Sequence, residues 1–493
     1  MKNIVWISLS LFAAACGDNI DGKDVDAGAI DSPMIDGAPI DMPIDTPSGF
    51  VPPTPIGLTI SANGPDQIQA VKAGPGGSWY VAGFAAQTPT GAKNIFVGKL
   101  SAVGADASFG TAGISTLAVA TPTGGADEID LAVQSDGKIL VSFNIANTVD
   151  ATDRDVAVAR LTTAGALDTT FGVNGIATID FSTKNTTGTA VLDTARGLTV
   201  DANDNIFVSA VALGPTGANT SSDFALAKLS ANGLLSNGQN GTTGWGRLDS
   251  GKFFVDNIVG GVSLNATVRG VVALADGSVI AGGYVGGSGL ASGNVPVWYK
   301  LDANGDPVAS FANGGIFFDA VLTRQTEVYN FALNAAGTKV TTGGYGNVLG
   351  VDRDDWISMQ IDTTTGELTK PWGGAASGAK LIDVSENQTS SNCRNAVALP
   401  GGKTLMIGST GPGNMAAQDA VFAVIDETGN LDTHYGTGIQ RFKFAAADDK
   451  NDQFWGAAVS GTKVLVAGWR GTAGAAQDTT LNDNSFLIIF DVQ

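Results

Sequence analysis

Three arginines have the side-chain type and placement best suited to chemistry in this sequence. Arg196, Arg269 and Arg394 each stand seven residues before a tight turn, at the same point of a repeating pattern. A guanidinium is a planar fork that matches a carboxylate or another anion with two parallel hydrogen bonds. Two uses are open. The three forks could converge on an anionic ligand, or each could tie its strand to an aspartate such as Asp223 or Asp419. Little else points to chemistry. His434 is the sole histidine, which rules out a multi-histidine metal centre. It occupies a turn, where another copy of the pattern carries Thr170, and no serine nucleophile is marked out for it. It is read as a solvent or structural residue. Cys393 is read as a structural thiol. The runs Asp302-Ala303-Asn304-Gly305-Asp306 and Asp201-Ala202-Asn203-Asp204-Asn205 place oxygens at alternate positions. Neither continues to the glutamate that closes a calcium loop, and Asx residues also serve turns for backbone reasons. Calcium is the one metal these loops suggest; no catalytic residue and no other cofactor is assigned.

The elements that must carry these residues follow from composition and repetition. The chain of 493 residues has 47 acidic against 27 basic side chains, a net charge of -20. Such a surface does not suit nucleic acid, whose phosphates need a basic footprint. With 15% charged and 43% hydrophobic residues, the chain is a folded protein rich in buried sheet. A pair of apolar strands around a Gly or Asp turn recurs seven times, at residues 70–83, 131–141, 198–208, 271–280, 331–341, 396–407 and 457–468. Asp-Gly between short apolar runs is the strongest local hairpin signal. A third strand follows, as in 156–161, 224–229, 421–425 and 486–489, with Asp155, Asp223, Asp355 or Asp419 ahead of it. Large and small apolar residues alternate there (Phe224 and Leu226 against Ala225 and Ala227), so both faces must be covered. An aromatic residue then marks a turn, namely Phe109, Phe171, Phe311, Trp372 or Tyr435, and a fourth strand ends the unit, as in 175–180 and 438–442. Seven four-stranded units that cannot bury their faces alone predict an all-β, seven-bladed β-propeller over residues 50–493. The last copy lacks its fourth strand, and residues 56–60 resemble one. Pairing the two would close the ring and remove a sheet edge. In propellers the first strand of each blade lines the central channel, which would bring the three arginines near one mouth.

The first fifteen residues read as an export signal: Lys2, a short apolar run, then Ala13-Ala14-Ala15 as a small-residue cleavage site. The run is shorter than the about 20 residues a membrane-spanning helix needs. Cys16 follows at once, and the whole resembles a bacterial lipoprotein signal, with Ala13 where such signals usually carry Leu. The resemblance implies that Cys16 is lipidated and becomes the N-terminus. Residues 16–49 form a linker in which Ile-Asp or Val-Asp recurs every five residues, at 20, 25, 30, 35 and 40. Proline at 33, 39, 43 and 47, with eight Asp and one Lys, keeps it from folding. It is expected to be a disordered stalk between membrane and propeller.

The unit of residues 136–141, 155–161 and 164–172 resembles the delta-60 repeat family, and the stalk behind a lipoprotein signal is similar to surface lipoproteins of myxobacteria. The resemblance implies an exported protein with a propeller-like fold, attached to the bacterial outer membrane or cell surface. It implies no activity. Gly17 is compatible with outer-membrane sorting on the same ground. The expected function is a lipid-anchored scaffold that binds a protein or glycan through its loops, with Arg196, Arg269 and Arg394 as candidate ligand residues. Two alternatives stand beside it: a carbohydrate lyase or hydrolase with carboxylates at the channel mouth, and a structural surface coat.

Overall fold

The computed structural model describes residues 50–493, except 59, 62–64, 87–92, 121–127, 148–152, 183–192, 213–220, 247–248, 256, 260–261, 386–389, 412–417, 443–451 and 471–483. The signal, Cys16 and the stalk lie outside the described residues. Seven antiparallel sheets form the blades of a closed propeller. Their first strands are Asp66–Ala73, Asp130–Val133, Thr194–Val200, Ala266–Ala273, Gln325–Leu333, Ser391–Ala398 and Asp452–Ser460. Each packs against the next around the ring, and the last packs against the first. Blade 7 is completed from the other end of the chain. Ile56–Leu58 pairs antiparallel with the last strand, Ile56 opposite Leu487 and Leu58 opposite Ser485. The ring is therefore closed by the strand exchange that the sequence predicts. A short hairpin, Asn257–Val259 with Val262–Leu264, stands outside the blades between blades 3 and 4.

The alternation of large and small residues sets how blades meet. Phe224 and Leu226 enter a cluster shared with blade 4, whereas Ala225 and Ala227 enter one shared with blade 2. Val156 and Val158 likewise face blade 3, with Ala157 and Ala159 facing blade 1. In blades 2 and 3 the large side chains thus lean on the following blade and the small ones admit the preceding blade. The apolar core divides into seven clusters, each at one junction between neighbouring blades. A blade alone would leave both faces wet, so the ring is the folding unit.

A second lock joins the turns after the third strands. The buried aromatics Phe109, Phe171, Trp245, Phe311, Trp372 and Tyr435 plug these turns. The peptide N–H after the aromatic donates to the next blade: Gly110 to the Ala164 carbonyl at 2.9 Å, Gly172 to Asn232 at 2.9 Å, Gly246 to Asn304 at 2.8 Å. Glycine is required where the next turn meets the ring. A Cβ on Gly233 (φ +78°) would lie 2.6 Å from the Phe171 ring. Trp245 had no counterpart in the sequence reading, because residues 236–244 separate it from its strand.

The two ends of the channel differ. Short turns within hairpins, such as residues 134–138 and 274–278, and the aromatic turns lie on one side, the turn face. Connections from second to third strand and from blade to blade lie on the other, the crossover face. Phe50, the first described residue, packs on the turn face, with its ring centroid 5.4 Å from Tyr435 and 6.0 Å from Phe490. The chain that precedes it therefore joins the propeller at the turn face.

Candidate functional site

Each innermost strand but one carries a β-bulge at the same repeat position. The register shifts around Gln69, Arg196, Arg269, Tyr329 with Asn330, Arg394 and Trp455. A bulge inserts an unpaired residue and re-aims its side chain. In blade 2 the ladder begins only at Asp130, which leaves Glu128 and Ile129 ahead of it at the same level. These residues line one small cleft in the channel, of about 60 Å³. All seven innermost strands contribute to it, and it lies in the half of the channel nearer the crossover face.

The three arginines line this one cleft, and two of them share a carboxylate that the sequence reading did not name. Arg196 and Arg269 both reach Glu128 Oε1 through Nη1, the second at 2.5 Å. Neither Asp223 nor Asp419 is that carboxylate. The reason is directional: the bulge turns the guanidiniums to the axis, whereas the aspartates stand two strands outward. Arg269 Nη2 also donates to the hydroxyls of Tyr284 (3.2 Å) and Tyr329 (3.3 Å). Arg394 also stacks on ring faces, its guanidinium carbon 4.7 Å from the Trp455 centroid and 5.6 Å from Tyr329. Arg269 lies 4.3 Å from the same Tyr329 ring. Such cation–π contacts support a charge without neutralising it. All three arginines are buried, at 6, 7 and 5% exposure.

Ionisation follows from this packing. Burial opposes the charge on Glu128, but the fields of Arg196, Arg269 and Arg394 outweigh it and hold the carboxyl below its usual range. Glu128 is a fixed anion. Burial pushes the hydroxyls of Tyr284, Tyr329 and Tyr345 above their ordinary value, so they stay protonated. Glu327, enclosed beside Tyr345 and Asn294, is raised by burial to about 7. Asp130 is already engaged. Its Oδ2 accepts from Leu198 N at 2.9 Å, its Oδ1 accepts from Leu131 N at 2.8 Å, and Lys72 Nζ lies 3.6 Å away.

Sequence reasoning missed Glu128, Tyr329, Trp455 and Gln69. A signal was present. Each bulge residue stands two before an aligned apolar residue: Gln69 before Val71, Tyr329 before Phe331, Trp455 before Ala457, as Arg196 stands before Leu198. Glu128 is one residue out of that register, and only the delayed start of the blade 2 strand brings it in.

The other candidates fall elsewhere. His434 lies on the turn face, its side chain 69% exposed, with Nδ1 2.7 Å from Asp432 Oδ1. Cys393 is buried at the junction of blades 5 and 6, and burial pushes its thiol up to about 12. Asp302 Oδ1 accepts from Asn304 N and Asp306 N, and Asp201 Oδ1 from Asn203 N and Asn205 N, so these loops use their carboxylates to cap their own turns. Among the described residues, Asp155, Asp180 and Asp193 also bring carboxylate oxygens within 4.8 Å of one another. Asp193 accepts from Phe181 N (2.6 Å) and Ser182 N (3.0 Å), as Asp66 accepts from Ile60 N and Ser61 N. It is a latch on the crossover into the next blade. Burial raises Asp193 to about 8 and Asp155 to about 6, which spares the group the repulsion of three charges.

The family match agrees with a propeller. Residues 134–171 match a family described as a domain of unknown function, the DUF5122 β-propeller. No curated protein matches the chain. Among solved structures, the chain is similar to the β-propeller domain of the Trilobed protease from Pyrococcus furiosus, at 9% identity and a TM-score of 0.43, over 88% of this chain and 96% of that one. It is similar to a protein of unknown function from Dyadobacter fermentans, at 10% identity and 0.41, over 90% of this chain and 100% of that one. A polysaccharide lyase, the PL25 ulvan lyase, is similar at 10% identity and 0.42, over 89% and 96%. The chain is a seven-bladed β-propeller that contains a DUF5122 β-propeller domain.

Proposed function

We propose that this protein is an exported, lipid-anchored propeller that works as a binding scaffold at the bacterial surface, with its ligand site at the channel mouth around Arg196, Arg269 and Arg394. One observation carries the reading. The stalk side and the site lie on opposite faces: Phe50 enters at the turn face, whereas the arginines open toward the crossover face with its longer connections. An anchor at Cys16 would then present the arginines away from the membrane. A rigid ring with varied connections at one end suits partner recognition. The lipoprotein signal and the delta-60 resemblance support the location.

A lyase or hydrolase needs a group that gives or takes a proton at the ligand. At this cleft Glu128 Oε1 is already engaged by two guanidiniums, Arg196 and Arg269. This chemistry favours holding over turnover. A surface coat would need no buried cations at all. Arrays of glycans and peptides probed with the purified full chain test the reading. Reproducible binding competed by one ligand class is expected; uniform absence of binding would leave the coat.

A further inference from the structure

We infer that Asp155, Asp180 and Asp193 form a site for one calcium-type divalent cation, on the crossover face where blade 2 meets blade 3. The first argument is geometry. One carboxylate oxygen from each residue lies within 4.8 Å of the other two. Calcium is held by oxygens at about 2.3–2.6 Å, so two ligands across one ion stand up to about 5 Å apart. The three residues come from separate elements. Asp155 lies at the start of Arg154–Leu161, the third strand of blade 2; Asp180 follows Ile176–Ile179, its fourth; Asp193 precedes Thr194–Val200, the first strand of blade 3. Asp155 and Asp193 are buried, at 3 and 0% exposure. Asp180 is half-buried, which leaves room for the waters that complete a calcium shell.

The second argument is a buried oxygen with nothing to accept. Asp193 spends Oδ2 on the N–H groups of Phe181 and Ser182, and its Oδ1 is buried without a hydrogen-bond partner among the described residues. The matching latch at blade 7 differs. There Asp66 Oδ2 accepts from Ile60 N and Ser61 N, and Oδ1 accepts from Ser485 N at 2.8 Å. A buried carboxylate oxygen left unpaired costs free energy, and a bound cation satisfies it. Asn147 Nδ2 donates to Asp155 Oδ2 at 3.0 Å and orients that carboxylate. Two side-chain cations are near, and each donates to a backbone carbonyl of the group: Lys252 Nζ to Asp180 and Arg154 Nε to Asp193.

The third argument is the repeat. At the passage from blade 6 to blade 7, Asp419 and Asp452 hold the sequence positions of Asp155 and Asp193, and the position of Asp180 is Lys443. At the closure of blade 7 the positions of Asp155 and Asp180 are Asn484 and Thr59. The latch therefore needs no third carboxylate. One copy supplies a lysine where this one supplies an acid. Without an ion, burial lifts Asp193 to about 8 and Asp155 to about 6, so protons stand in for it.

Thermal unfolding of the full chain in EDTA, in calcium and in magnesium tests this. Millimolar calcium should raise the melting temperature by about 2–4 °C over chelator, as a ligand of the folded state does. Magnesium demands shorter bonds and should need roughly tenfold higher concentration. Asp180→Asn, at a half-buried position, should fold and lose the calcium response. Asp180→Lys, which copies Lys443, should raise the melting temperature in chelator and make it indifferent to calcium. A gain of stability cannot come from misfolding. No calcium response in the parent, a response that survives Asp180→Asn, or an equal response to magnesium overturns the inference. Each of these leaves the three carboxyls as a latch that shares protons.

Discussion

At the residue scale, the cleft depends on one backbone irregularity used six times. The bulge between Ala195 and Gly197 exposes Arg196 to the axis, and the same shift exposes Arg269, Arg394 and Trp455. Glycine follows the bulge at 197, 270 and 456 because the neighbouring strand is close: a Cβ on Gly456 would meet Val71 at 2.8 Å. Arg394 stacks on the Tyr329 and Trp455 rings. Trp455→Ala removes one of these contacts, worth about 0.5–2 kcal/mol, and should lower the melting temperature by a few degrees. Calorimetric unfolding of the variant checks this, and an unchanged melting temperature would mean that Trp455 does not support Arg394. The arginines were legible as a repeated position. Their partner was not, because Asp223 and Asp419 are as acidic as Glu128, and only the path of the backbone decides which one faces the axis.

At the element scale, the closing strand and the crossover latches hold the ring. Ile56–Leu58 covers the last strand, Asp66 Oδ1 accepts from Ser485 N at 2.8 Å, and Phe50 packs among Phe422, Tyr435 and Phe490. A chain that begins at residue 62 loses the strand and the ring of Phe50 together. It should be less stable by several kcal/mol, since one aromatic side chain alone contributes about 1.5–3 kcal/mol, and it should self-associate through the bared edge. Urea unfolding and light scattering test this; a midpoint equal to the full chain's would show that closure adds nothing. The latch at Asp193 has a pH signature. Its folded pKa is pushed to about 8 from 3.8. Between these values the native state binds more protons than the unfolded chain, so stability falls as pH rises through the window. Glu327, at about 7, and Asp155, at about 6, act in the same direction. Asp193→Asn keeps an oxygen for Phe181 N and Ser182 N and removes the titration. Its melting temperature should change less between pH 5 and pH 9 than that of the parent. An unaltered slope would place the pH dependence elsewhere.

At the scale of the whole molecule, polarity is the main consequence. One face carries Phe50 and the C-terminal strand end, where Lys403 Nζ donates to the Gln493 carbonyl at 3.0 Å. The other carries the cleft. Among the described residues no helix is long and apolar enough to cross a membrane; the proposed attachment is at Cys16. In the bacterium that makes it, Cys16→Ser should move the protein from the membrane fraction to the soluble one. In the anchored form, an epitope inserted at Gly289, between the second and third strands of blade 4 on the crossover face, should be reached by antibody more readily than one at the 461–462 turn. Equal labelling of both faces would contradict an outward-facing cleft.

Repeat number, strand order and the exchange between the chain ends were legible in the linear sequence. Each follows from local turn chemistry and from apolar faces that must be covered, and both are written residue by residue. Which carboxylate meets which guanidinium was not. Glu128, Arg196, Arg269, Arg394 and Trp455 are spread over more than 300 positions. Their meeting depends on closing seven sheets around an axis, and on bulges whose direction is set by the strand alongside. Contacts across a channel are made by the ring as a whole, so they exist only once the last blade is joined to the first.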